Sequence, residues 1–469
     1  MKRYLLLTVA MVAMILATGC GGTGNLNAGP TNATINTTDG LNDQIVKFEL
    51  SVSSLTLTGS GTTTNTGNLL SKTSEVEFVH QAGSFEPLAL VNIPPGTYSG
   101  ASLTVSNPEL VVLNNAVPPA PVKIPATLTS GSVTVTFTAP ITVTSSSSSV
   151  INFDLDLANS VVLTGTPPTS ATVTAKFNVT TSTATNTDED SGEMDDVHGS
   201  VTAIAAPNFT IQTKTSSIVF ATDANTQFKD GITSLSQLKV GDIVEVDGTT
   251  KPDGSKLATK IGVEESQSGE EAEGVITAVT GAPATQITIA HQVDSSNSAT
   301  PPVTVDLAIS ASTAFSVRTD KLNLGGATPA FDASHIGKGQ RVEADTGSST
   351  VSPMPADKIK LREQALVGTV SAASASGFTL TLNASSAFAT LTGQSTIAVS
   401  IVSGTNLKVT PVNANTVRVR GLIFVNAGSY SMIASRVDDN KYPAPFILCK
   451  NWVRFGGPFF WFWPKAEKL

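Results

Sequence analysis

An all-β fold is predicted for this chain, a β-sandwich followed by three small OB-like β-barrels, and three observations predict it. Beyond the N-terminal twenty residues, apolar side chains recur at every second position in short runs, the period of a half-buried strand. Gly, Pro, Asn and Ser fall between the runs, where the chain must turn. A block of landmarks then occurs three times between Gly199 and Val437.

The first region alternates clearly. Val46, Phe48, Leu50 and Val52 are separated by Lys47, Glu49 and Ser51, and Val133, Val135 and Phe137 by threonines. Phe153, Leu155 and Leu157 alternate with Asp154 and Asp156, and Val173, Ala175, Phe177 and Val179 close the region. Many short strands with turns between them make residues 31–180 a sandwich domain. The segments Asp39-Gly40-Leu41-Asn42-Asp43, Ile93-Pro94-Pro95-Gly96-Thr97-Tyr98 and Phe153-Asp154-Leu155-Asp156-Leu157 resemble domain-of-unknown-function family 4382 of bacterial envelope lipoproteins. Residues 181–198 carry six acids between Asp188 and Asp196 with almost no apolar side chains, which reads as a solvated acidic linker.

The threefold block opens with Gly199-Ser200-Val201, Gly274-Val275-Ile276 and Gly368-Thr369-Val370. A second strand follows each opening, then Thr226, Thr313 or Thr405. Next stands a glycine and strand, Gly241 to Val246 and Gly339 to Ala344, which the third block keeps as Val417-Arg418-Val419 without the glycine. Each block closes with Ala258-Thr259-Lys260-Ile261, Ala356-Asp357-Lys358-Ile359 or Ala434-Ser435-Arg436-Val437. Opening and closing lie 59, 82 and 66 residues apart, so length varies in loops while the strand order is kept. The pattern resembles domain-of-unknown-function family 5666. Short strands bent at glycine suit small closed barrels, because closure removes exposed edges. The barrels are placed at 199–265, 272–364 and 365–440. Lys260, Lys358 and Arg436 alternate with apolar neighbours and are expected on a solvent face.

The start of the chain reads as export. Lys2 and Arg3 precede fourteen residues, Tyr4 to Ala17, of which only Thr8 is clearly polar. At 1.5 Å per residue that run covers roughly 21 Å, short of a hydrocarbon core. Leu16-Ala17-Thr18-Gly19-Cys20 resembles the bacterial lipobox, with Ala17 where leucine is usual. Residues 1–19 are therefore expected to be a lipoprotein signal peptide, with Cys20 the lipid attachment site and 20–30 a flexible tether to the membrane. An ordinary secretory signal is the alternative. Without Asp after Cys20, the resemblance to enterobacterial sorting favours the outer membrane. Removing Lys2 and Arg3 takes the net charge from −9 to −11, which disfavours nucleic acid and anionic lipid as partners. With Cys20 lipidated, Cys449 has no intramolecular partner.

Chemistry-bearing groups are sparse. His80, His198, His291 and His335 fall one per region, in or beside expected turns, without metal-ligand spacing. No phosphate loop or Gly-x-Ser-x-Gly elbow occurs, so no cofactor is implied. Asp154 and Asp156 lie on one strand face, expected to be solvated, with a calcium contact as the minor reading. Together with Asp39 and Asp43 they define the alternative of a carbohydrate- or Ca-dependent ligand-binding surface. The run 441–469 holds nine of the chain's 26 aromatic residues. A docking or membrane-interface segment, a shifted-frame read-through and an extra strand all remain open for that tail. The expected function is a lipid-anchored, non-enzymatic envelope protein whose modules present an interaction surface to an envelope protein or glycan.

Overall fold

The computed structural model describes residues 31–40, 44–79, 86–114, 116, 119–144, 148–183, 192–213, 216–229, 231–264, 271–292, 303–317, 329–346 and 351–439. The signal, Cys20, the tether, Asp43, His80, Asp188 to Ser191, Cys449 and the aromatic tail lie outside them.

The first module is built from β1 (Thr31–Gly40), β2 (Ile45–Gly59), β3 (Ser74–Glu77), β4 (Glu86–Ile93), β5 (Gly96–Leu113), β6 (Pro121–Ile124), β7 (Ala126–Leu128), β8 (Ser132–Val143), β9 (Ser149–Asp156), the one-turn helix α1 (Leu157–Ser160), β10 (Val161–Thr164), β11 (Ser170–Val173) and β12 (Phe177–Thr183). One sheet runs β12-β9-β1-β4, with β1 and β9 parallel; the other runs β3-β2-β5-β6, with β8 also on β5. A small third sheet is β10-β11-β7. Period-two alternation turns Phe48, Leu50 and Val52 of one sheet toward Ile35, Ile151 and Phe153 of the other in one shared core. Phe48, Phe78, Phe177 and Phe153 form a chain of ring contacts through it, with centroids 6.3, 6.2 and 6.5 Å apart. Tyr98 is fully buried, and its hydroxyl donates to the Pro94 carbonyl at 2.8 Å.

The second module comprises β13 (Glu193–Ala205), β14 (Asn208–Gln212), β15 (Ser217–Ala221), β16 (Gln227–Lys229), β17 (Ile243–Thr250) and β18 (Lys256–Glu264). The third comprises β19 (Glu271–Thr280), β20 (Gln286–Gln292), β21 (Thr304–Ala308), β22 (Ala314–Val317), β23 (Arg341–Asp345), β24 (Met354–Pro355) and β25 (Lys358–Leu361). The fourth comprises β26 (Gln364–Ser374), β27 (Gly377–Leu382), the short helix α2 (Ala387–Thr392), β28 (Thr396–Leu407), β29 (Thr416–Asn426) and β30 (Ser429–Asp439). The fourth is a closed barrel, β26-β27-β28-β30-β29. In the second, β15-β14-β13-β17-β18 follow the same order, and β15 meets β18 in parallel to complete the ring. The third repeats it, the parallel contact being made by β21 with β24. β13 begins at Glu193, inside the stretch expected to be linker, because Met194 and Val197 enter the second module's core.

The landmarks read from the sequence acquire a physical role here. Thr226 Oγ1 accepts the N–H of Asp223 at 3.0 Å and donates to the Ala258 carbonyl at 2.8 Å. Thr313 does the same between Ser310 and Ala356, and Thr405 between Val402 and Ala434. One hydroxyl therefore closes a turn and ties it to the last strand in each barrel. A second corner is shared. Gly241 N–H donates to Val201 O and Gly339 N–H to Ile276 O, both glycines having positive φ. In the fourth module Ala414 N–H donates to Val370 O at 2.9 Å with φ +71°. The glycine missing there is thus replaced by an alanine held in the left-handed region, which a Cβ disfavours by about 1–2 kcal/mol.

Two outcomes are expected from urea denaturation. Thr313→Val removes the donor to the buried Ala356 carbonyl and should lower the unfolding free energy by about 1–3 kcal/mol. Ala414→Gly should raise it by about 0.5–1 kcal/mol, the relief of strain exceeding the added freedom of the unfolded chain.

Candidate functional site

On β17 and β18 the inward positions are Val244, Val246, Ala258 and Ile261, so Glu245, Asp247 and Lys260 point outward. On β23 and β25, Val342, Ala344, Ile359 and Leu361 turn Arg341, Glu343, Lys360 and Arg362 outward by the same rule. Outward does not mean solvated. The Glu343 and Arg362 side chains are only 4% and 8% exposed, because the outer faces of the two barrels meet.

Lys360 Nζ bridges them, donating to Glu245 Oε2 and to Glu343 Oε1, each at 2.9 Å. Arg362 Nη1 lies 3.0 Å from Glu343 Oε2, and its Nε lies 3.8 Å from Glu273 Oε1. Arg341 Nη2 pairs with Glu273 Oε1 at 2.5 Å. Lys260 Nζ sits 3.3 Å from Glu245 Oε1 and 3.2 Å from Asp247 Oδ2. Four carboxylates and four cations thus share one seam. Burial pushes the Glu245 carboxyl up, but Lys360, Arg362, His198 and Lys260 more than offset it and hold it well below the usual range. For Glu343 burial is likewise outweighed, by Arg362, Lys360 and His198. Burial lowers Lys360, yet Glu343 and Glu245 raise it above an ordinary lysine. Desolvation depresses even Arg341, against the fields of Glu273 and the sandwich residue Glu77.

Other seams join the remaining modules. Lys256 Nζ of β18 donates to Thr34 Oγ1 of β1 at 3.0 Å, and burial holds that amine down at about 8. Val46, Val111 and Leu113 of the sandwich pack in one apolar cluster with Ala290 of β20 and Leu391 of α2. Gln340 Nε2 donates to the Ile423 carbonyl, Tyr430 OH donates to the Lys338 carbonyl, and Leu422 and Phe424 complete the core of the neighbouring barrel. Arg420 Nε pairs with Glu363 Oε2 at 2.9 Å. Arg418 grips Asp438 through two contacts of 2.9 and 3.2 Å, and Arg436 reaches the same carboxylate at 3.1 Å.

Several expectations are corrected by these contacts. Lys260 and Arg436 do not line a solvent face: their side chains are 12% and 13% exposed and ion-paired, while Lys358 is half-buried. Asp156 is not solvated either, since its carboxylate caps α1, accepting from Asn159 N at 3.0 Å and Asn159 Nδ2 at 2.7 Å. Asp154 is half-buried as a residue, and burial raises its carboxyl to about 7 against the pull of Arg418. Asp39 lies on β1. His198 stands in β13 and His291 in β20 rather than in turns. His335 is in a turn, its Nδ1 2.8 Å from Asp332 Oδ1. Among the described residues no group of three or more His, Cys, Asp or Glu is placed to hold a metal ion. The seam residues were missed in sequence because only their glutamates and lysines at alternate strand positions marked them, and such positions usually face water.

The architecture is that of a multi-module all-β protein in which a sandwich and OB-like barrels are bound by buried polar seams. Within it, residues 198–262, essentially the second module, match the family described as Domain of unknown function (DUF5666). No curated protein matches the chain. Among solved structures, the chain is similar to a multidomain protein with nucleic acid binding domains from Streptococcus pneumoniae, at 12% identity over 51% of this chain and 72% of that one. At a TM-score of 0.11 that likeness carries neither fold nor ligand to this chain.

Breaking the central seam on one side should be costly. Glu245→Gln leaves Lys360 short of a partner and is expected to lower the unfolding free energy by about 3 kcal/mol. Glu245→Leu with Lys360→Met should lose less than the two single changes together, with a coupling of about 0.5–3 kcal/mol in a double-mutant cycle. Strict additivity would contradict a direct pair.

Proposed function

We propose that this chain is a non-enzymatic envelope lipoprotein, anchored through Cys20, whose sandwich and barrels form one braced unit displaying a surface to an envelope protein or glycan. The observation that carries the reading is where the buried charge goes. Glu245, Glu273, Glu343, Lys260, Lys360, Arg341 and Arg362 pair with one another at a seam, an arrangement suited to fixing modules and not to turning over a substrate. The export signal at Lys2 to Gly19 and the lipobox-like Leu16 to Cys20 support the anchor. The outer membrane is the proposed location.

Segments 271–361 and 364–439 are proposed as further copies of the module matched at 198–262. Support comes from the shared ring order and from the equivalent hydrogen bonds of Thr226, Thr313 and Thr405. The sandwich is proposed to be of the 4382 type on its Ile93-Pro94-Pro95-Gly96 entry, where Pro94 holds the Tyr98 hydroxyl.

Fractionation of cells expressing the full chain tests the anchor. The wild type should sediment with membranes and partition into detergent, whereas Cys20→Ala should be released in soluble form. Sedimentation of Cys20→Ala with membranes would refute lipid anchoring. A cross-linked pull-down that recovers no specific envelope component would refute the display role.

A further inference from the structure

The corner that leads into β17, β23 and β29 is bare in two barrels and covered in one. Val240, beside Gly241, is 61% exposed, and Val412, two residues before Ala414, is 52% exposed. The corner at Gly337 to Gly339 is instead enclosed by the last barrel. A Cβ at Gly337 would stand 2.8 Å from Val425 and 2.9 Å from the Tyr430 hydroxyl, and one at Gly339 would stand 2.8 Å from both Phe388 and Thr392. Between the two glycines the Lys338 carbonyl accepts from Tyr430 OH at 3.0 Å. Phe388 and Tyr430 meet edge-on with centroids 5.5 Å apart, so α2 and the β29–β30 tip close on the corner together.

The tip also supplies core. Beyond the register shift at Arg420/Gly421, Ile423 enters its own barrel, while Leu422 and Phe424 enter the core of the third module. Gln340, fully buried, fastens that strand by donating from Nε2 to the Ile423 carbonyl at 2.9 Å and accepting the Gly337 N–H at 2.7 Å. The second module differs: among the described residues its buried core is drawn from 194–261 alone. Arg362 and Glu363 alone separate β25 from β26, and Arg420 and Ser435 each hold the Glu363 carboxylate at 2.9 Å, so the join is no free hinge.

We propose that residues 271–439 are one obligate folding unit, in which the β29–β30 tip is the missing part of the third module's core and neither module opens alone. In order of synthesis the third module is complete only when Phe424 has been made. The sandwich docks on the fused pair, since Val46, Val111 and Leu113 rest on Ala290 of one member and Leu391 of the other. The unit stands independently of the anchor and of the displayed partner.

Hydrogen exchange on the full chain tests this. Phe424→Ala should speed exchange by about a hundredfold or more in β19, β20 and β23 as well as in β29 and β30, with β14 and β15 of the second module unchanged. Leu307→Ala, in the third module's core, should speed exchange in β26 and β27 of the last barrel by about thirtyfold or more. Acceleration confined to the module that carries each substitution would overturn the proposal. Should either variant fail to fold, the wild type decides. In low urea the slowest amides of β20 and β29 should share one opening with one urea dependence, and two separate openings would overturn the proposal.

Discussion

Four carboxylates and four cations withdrawn from water between two barrels are the constraint on which the arrangement of the described modules turns. Each of Glu245, Glu273, Glu343 and Asp247 would be expensive to bury alone, and each of Lys260, Lys360, Arg341 and Arg362 equally so. Only the mutual geometry makes the seam tolerable, with Lys360 at 2.9 Å from a carboxylate on each barrel. An apolar interface would accept many rotations of one barrel on the other. A seam of directed ion pairs accepts few, since a small slip leaves a charge buried without its partner.

Around it the modules repeat one small frame. A threonine hydroxyl joins a turn to the closing Ala segment, a left-handed corner leads into β17, β23 or β29, and parallel pairing of β15 with β18, β21 with β24 and β28 with β30 brings the ring together. Those features use backbone groups and short side chains, so they survive wide variation in loop length. They also leave the outward strand positions free to vary. In the second and third modules these positions carry Glu, Asp, Lys and Arg that meet one another, and in the fourth Arg418 and Asp438 pair with each other.

Much of the fold was legible before any coordinates. Period-two alternation in Phe48 to Val52 and Phe153 to Leu157 marks a strand face turned to a core, and the structure buries those residues there, whereas Val46, at a bulge, packs instead beside Ala290 and Leu391. The recurring Thr and Ala landmarks marked the barrels because the same backbone groups must be satisfied in each. The site was far less legible. Lys260 and Arg436 stand at outward strand positions, and a sequence does not distinguish a strand face that meets water from one that meets another module. Asp156 was misread for a related reason: the turn of α1 that consumes its carboxylate is four residues long and leaves no periodic trace.

Sequence by itself determined the all-β class, the alternation that selects the core of each module and the recurrence of the barrel frame. All of these rest on local rules: strand pleating and turn chemistry. Tertiary structure alone decided that Glu245 meets Lys360 over 115 residues of separation and that Thr34 receives Lys256. The physical reason is that an ion pair between modules depends on how folded surfaces come together. Its members look, one by one, like any solvated charge on a strand.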